Sequence, residues 1–64
     1  MTLKRILTTT DLINDHTEIY IRNKDSFHVY AYGNWFQDCI LDYMEHEITS
    51  FTWEDENTIF IDIE

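Results

Sequence analysis

Thr17-Glu18-Ile19-Tyr20-Ile21-Arg22-Asn23-Lys24-Asp25-Ser26-Phe27-His28-Val29-Tyr30-Ala31-Tyr32-Gly33 is the stretch whose reading decides the fold. From Thr17 to Arg22 the residues alternate, with Ile19 and Ile21 on one side and Glu18, Tyr20 and Arg22 on the other. Successive side chains of an extended chain point to opposite faces, so this is a strand pattern. Asn23 to Ser26 has turn chemistry. Phe27, Val29 and Ala31 then alternate with His28, Tyr30 and Tyr32, which predicts a hairpin ending at Gly33.

Downstream, Asn34 is a good N-cap, and Trp35, Phe36, Cys39, Ile40, Tyr43 and Met44 recur as one apolar helical stripe. Glu47 to Trp53 and Thr58 to Ile63 alternate around the polar turn Glu54-Asp55-Glu56-Asn57, predicting a second hairpin. Upstream, Thr2 can cap a short helix carrying Leu3, Ile6 and Leu7, which ends between Thr8 and Ile13. The expected architecture is α+β, a single domain over residues 1–64 ordered α-β-β-α-β-β. Its antiparallel sheet consists of two hairpins, with the helices packed on one face.

A turn pairing Trp53 with Thr58 sets Phe51 opposite Phe60 and collects Ile48, Ile59, Ile61 and Ile63 on the reverse. Ile19, Ile21, Phe27 and Val29 join those isoleucines on the face that takes the helices. The other face then displays Tyr20, Tyr30, Tyr32, Phe51, Trp53 and Phe60, residue types that anchor protein interfaces. It is expected to serve as a partner site or a homodimer seam, or else to be covered by a loop or the first helix.

Composition supports a folded chain. A domain of 64 residues buries only about 60% of its unfolded surface, but 16% of the residues are aromatic and there is one Gly and no Pro. Such a chain does not read as disordered. Cys39 is alone, which excludes a disulfide scaffold and predicts a packed, inert thiol in a reducing, cytoplasmic setting. The start Met1-Thr2-Leu3-Lys4-Arg5-Ile6-Leu7 is basic, but the apolar stretch behind it fails at Thr8-Thr9-Thr10-Asp11, short of a signal-peptide core, and no membrane span is expected.

Several site chemistries are weighed and set aside. His16, His28 and His46 lack ligand spacing, Asp55-Glu56-Asn57 lacks the glycine and closing glutamate of a calcium loop, and neither a metal nor another cofactor is expected. Cys39 on a core stripe has no partner base, and Asp38 and Asp42 lack a pocket for acid-base work, so no enzyme is expected.

Charge is the remaining signal. The formal net charge is -9, and after Lys24 the chain has no Lys or Arg. Such a surface repels nucleic acid and anionic membranes and attracts basic ones. Asp38, Asp42 and Glu45 recur at i, i+4 and i+7, roughly 4.5 to 6 Å apart along a helix axis, a spacing comparable with a phosphate track. Glu54, Asp55 and Glu56 add a second cluster. These six carboxylates, with Tyr30, Tyr32 and Trp53, are the candidate partner-binding residues.

The whole-chain pattern is similar to short acidic proteins of Gram-positive phages and prophages. It is carried by Met1 to Leu7, by Asp15-His16-Thr17-Glu18-Ile19-Tyr20-Ile21, and by Glu47-Ile48-Thr49-Ser50-Phe51 leading into the closing hairpin. Among proteins of that size and charge are anti-CRISPR inhibitors that occupy the PAM-reading surface of a Cas9-type nuclease. The resemblance implies an anti-defence protein of a bacterial host's cytoplasm. Its carboxylates would meet the arginines and lysines that otherwise hold DNA. The alternative expectation is a homo-oligomeric accessory module joined through the aromatic face.

Overall fold

A computed structural model describes residues 1–9 and 12–64. The elements are α1 (Leu3–Thr8), β1 (Glu18–Asn23), β2 (Val29–Gly33), α2 (Asp38–Leu41), β3 (Ile48–Trp53) and β4 (Thr58–Ile63), the expected order. Both hairpins form, but the sheet is mixed. Its strand order is β2-β1-β4-β3, with the outer pairs antiparallel and β1 parallel to β4.

The parallel contact corrects the expectation of a wholly antiparallel sheet. β1 and β4 carry isoleucine at every second position, and the central places bury them from both sides. Ile19 lies beside Ile59 and Ile21 beside Ile61, all of them fully buried. Leu3 and Ile6 of α1, Ile13, and Ile40 of α2 close the same core from above. Each such side chain contributes roughly 1.5 to 3 kcal/mol. Among the described residues both helices pack on this one face, so the first helix does not cover the reverse.

Register decides which aromatic faces where, and it differs from the expected one. Trp53 pairs with Ile59 and Phe51 with Ile61, a shift of one residue that moves both aromatics to the helix face. Trp53 is half-buried against the core. In the first hairpin Ile21 pairs with Ala31 but Arg22 with Val29, leaving Tyr30 as the extra residue of a bulge. The bulge turns Tyr30 toward the helix side, where its ring stacks on Tyr43 at 6.2 Å. Its hydroxyl accepts from Asn23 Nδ2 at 2.9 Å. Val29 and Phe27 are consequently exposed rather than core, and Phe27 has a φ of 60°, a conformation uncommon for so bulky a residue.

α1 forms as read. Thr2 Oγ1 accepts from the Arg5 N–H, and the Thr8 and Thr9 hydroxyls donate back to carbonyls of the preceding turn. The expected end range also takes in Thr10 and Asp11, which lie outside the described residues. α2 is much shorter than the stripe from Trp35 to Met44 suggests, with turns on either side of it. Asp38 and Asp42 are like charges at i and i+4, and the acidic C-terminal flank opposes the helix dipole. Only Ile40 of the stripe is fully buried.

Asn34 is a tether rather than the helix cap. Its Nδ2 donates to the Thr17 and Asp15 carbonyls, while its N–H donates to Gln37 Oε1. Gly33 is still part of the ladder, pairing with Ile19 at the end of the hairpin. A side chain there would run into Gln37 Oε1 and Cδ, and its φ is +158°. Gly33→Ala is therefore expected to displace the Gln37 side chain from Asn34 and cost about 1 to 3 kcal/mol, read as a lower urea midpoint.

Candidate macromolecule-binding surfaces

Strand directions bring carboxylates together that are far apart in sequence. Because β1 and β4 run parallel, the start of β1 lies beside the β3–β4 turn, where the Glu18 N–H donates to the Asn57 carbonyl at 2.6 Å. Asp15, just before β1, accepts at Oδ1 from Trp35 Nε1. Asp15, Glu18, Glu54, Asp55 and Glu56 thus share one pole of the sheet, all exposed and none in an ion pair among the described residues.

Arg22 and Lys24 are paired with Asp62 and Glu64 at the far end of β1 and β4. Among the described residues no ion pair joins a basic side chain to the acidic pole. Patterning along the sequence pointed to Glu54, Asp55 and Glu56 but missed Asp15 and Glu18, because only the parallel pairing of β1 with β4 adds them.

Asp38, Asp42 and Glu45 are exposed as expected, and they lie on the side of the sheet away from the β3–β4 tip. Asp38 opens α2, Asp42 caps its end, and Glu45 lies in the turns beyond. α2 lies against β2 at one edge of the sheet, since Cys39 Sγ meets the Tyr32 carbonyl at 3.4 Å. The hairpin tip belongs to β3 and β4 on the other side. Cys39 itself is exposed, not packed into the core as its place on the stripe suggests.

The aromatic candidates are likewise divided. Tyr32 is on the open face, whereas Tyr30 and Trp53 are on the helix side at opposite edges. The open face carries Tyr20 with Tyr32 at 4.4 Å and Phe60 at 5.1 Å. Arg22 lies between the Phe27 and Phe60 rings, 4.7 and 4.3 Å from their centroids. Its Nε donates to Asp62 Oδ1 at 2.9 Å. This face is therefore smaller and more polar than the sequence implies.

Tyr32 and Glu18 form the one strongly perturbed titrating contact on the described residues. The phenol donates to Glu18 Oε1 at 2.7 Å. That hydrogen bond, followed by desolvation and the repulsion between phenolate and carboxylate, raises the Tyr32 pKa from 10.0 to about 12. A raised folded pKa means the contact favours the native state below pH 10 and loses that effect as the pH rises towards 12. In Glu18→Ala the tyrosinate absorbance of one residue is expected to appear closer to pH 10.0, as a pH titration of the folded protein would show.

Among the described residues no group of three or more His, Cys, Asp and Glu is arranged to hold a metal, and His16, His28 and His46 are exposed. No helix among the described residues is long and apolar enough to cross a membrane. Two open hollows flank β3, of about 310 Å³ beside His46, Glu47 and Glu64 and about 540 Å³ beside Leu12, Trp53, Asp55 and Glu56. No family model matches the chain, and no curated protein or solved structure matches it.

Proposed function

We propose that this chain is a binding protein, not a catalyst, which engages a basic nucleic-acid-handling bacterial protein through its carboxylates and so competes with nucleic acid. The observation that carries this reading is the unpaired acidic pole formed by Asp15, Glu18, Glu54, Asp55 and Glu56. Like charges gathered at one end oppose folding, and a basic surface that meets them removes that repulsion. The resemblance to short acidic phage proteins makes an anti-defence role, with a Cas9-type nuclease as target, the first to test.

The separation of the two acidic clusters narrows the mode of contact. A continuous phosphate-like track along α2 is not required, since the pole alone presents a compact cluster to a groove lined by Arg and Lys. The decisive experiment is displacement of a PAM-containing duplex from a guide-loaded Cas9-type nuclease. Displacement that weakens with rising salt is expected. The triple variant Glu54→Gln, Asp55→Asn, Glu56→Gln should weaken it by at least about tenfold, the equivalent of roughly 1.4 kcal/mol. Displacement unchanged in that variant, or none by the parent protein, overturns the reading.

The homo-oligomeric alternative is favoured by one feature, the uncovered sheet face with Tyr20, Tyr32 and Phe60. In that reading sedimentation gives a dimer whose stability barely responds to salt, and Tyr32→Ala returns it to monomer.

A further inference from the structure

β3 is an edge strand whose outer side is unprotected. Natural edges are blunted by Lys, Pro or charged side chains, yet Thr49-Ser50-Phe51-Thr52-Trp53 has none of these and only a bulge at its start. The Glu54 N–H donates to the Thr58 carbonyl at 2.8 Å. Bonded and non-bonded pairs alternate along an antiparallel ladder. The Thr52–Phe60 pair is therefore bonded, and Phe51 and Trp53 turn their N–H and C=O groups outward. Met1 covers the edge only as far as Ile48, whose N–H donates to its carbonyl at 2.8 Å. Among the described residues no other segment pairs with this edge.

We infer that the free edge of β3 is a docking site for an extended segment of a partner protein, added as a fifth strand, with an uncharged β-branched middle and Lys or Arg at both ends. The inference rests on the function proposed above and gives the form in which the basic partner is recognised. Complementary charge selects this occupant. The hollow at one end of the edge is lined by Asp55 and Glu56, in no ion pair among the described residues, and that at the other by Glu47 and Glu64, whose exposed ion pairs with the N-terminal ammonium and Lys24 are weak enough for an incoming basic side chain to share. Thr49 and Trp53 are about 13 Å apart at the rise of an extended chain, so basic side chains bracketing a five-residue core reach both.

A second copy of the chain is the wrong occupant on the same grounds. Antiparallel pairing of two β3 edges about a two-fold axis sets Glu54, Asp55 and Glu56 of one molecule against Glu45 and Glu47 of the other. Each molecule also carries a net charge of -9. Strand addition supplies main-chain hydrogen bonds, while the flanking charges supply selectivity.

The test titrates the protein with the synthetic peptide Lys-Lys-Thr-Val-Thr-Val-Thr-Lys-Lys and with its counterpart in which Glu replaces every Lys. Amide NMR spectra provide the readout. Expected are shifts and slowed hydrogen exchange at the Phe51 and Trp53 N–H groups, with the Glu peptide at least about tenfold weaker. N-methylating the inward amides of the Lys peptide should weaken it by a similar factor, since each methyl removes a main-chain hydrogen bond to the edge. Phe51→Pro, which removes an outward N–H and no sheet bond, should abolish peptide binding with the remaining amide spectrum retained. Binding that survives N-methylation, equal binding of the Glu peptide, or sedimentation as a dimer lost in Phe51→Pro overturns the inference.

The two proposals fail separately. Phe51→Pro that still displaces the duplex as well as the parent sinks the edge site alone. Peptide capture at β3 by a protein that displaces no duplex sinks the competitive function alone.

Discussion

Arg22→Ala is expected to lower the unfolding free energy by about 3 to 5 kcal/mol, a loss that leaves much of the chain unfolded. A domain of 64 residues has a total stability of only roughly 3 to 10 kcal/mol. Arg22 reaches Asp62 with Nε at 2.9 Å and Nη2 at 3.4 Å. The two side chains are only 19% and 10% exposed. Without the guanidinium, the Asp62 side chain keeps a single donor among the described residues, Ser50 Oγ at 3.3 Å, in a site that water scarcely reaches. The rings of Phe27 and Phe60 lose their cation at the same time, worth about 0.5 to 2 kcal/mol.

The pair also makes a prediction of opposite sign. Replacing both partners with apolar residues, Arg22→Met with Asp62→Leu, should recover most of the loss, because a buried ion pair exchanged for packed side chains is often neutral or stabilising. Urea unfolding of the two variants decides the point. Arg22→Ala within about 1 kcal/mol of the parent would mean that Asp62 is hydrated in solution and that the open face contributes little to stability.

The existence of every strand and of α1 was legible because each has a local cause. Ile19 and Ile21, or Ile59, Ile61 and Ile63, alternate within a few residues, and Thr2 precedes its helix directly. The parallel contact of β1 with β4 had no local cause. It follows from the preference of the two most isoleucine-rich strands for the sheet centre, which involves residues about forty positions apart. The aromatic face failed for a different reason. One bulge at Tyr30 and a register shift of one residue at Trp53 each move a ring to the other side, since the side-chain period of a strand is two. The acidic pole was half visible, as Glu54 to Glu56 are contiguous while Asp15 and Glu18 reach it only through the parallel pairing.

The length of α2 shows the limit of periodicity itself. Trp35, Phe36, Cys39, Ile40, Tyr43 and Met44 satisfy a helical template, yet only four residues are α-helical. Periodicity reports which side chains share a face, not whether the charges between them tolerate a helix. Asp38 and Asp42 are like charges at i and i+4 in this segment, and with Glu45 they are also the ones the sequence singled out as a binding stripe.

Ile61→Ala should cost about 2 to 5 kcal/mol, and with Arg22→Ala it should be among the most damaging single substitutions. Ile61 is fully buried, with Ile21 beside it across the parallel pair and Phe51 across the antiparallel one. Its neighbours on β1 and β4 are themselves isoleucines fixed by the ladder, and a β-branched side chain has little rotamer freedom with which to fill the space. A lowered urea midpoint with an unchanged slope is the expected signature, since the surface exposed on unfolding stays nearly the same. Phe51→Ala provides the contrast. Phe51 shares a face with Ile61 but is 40% exposed, so its truncation should cost under about 1.5 kcal/mol, well below the usual range for a core phenylalanine. A Phe51→Ala loss as large as that of Ile61→Ala would place the ring in the core in solution.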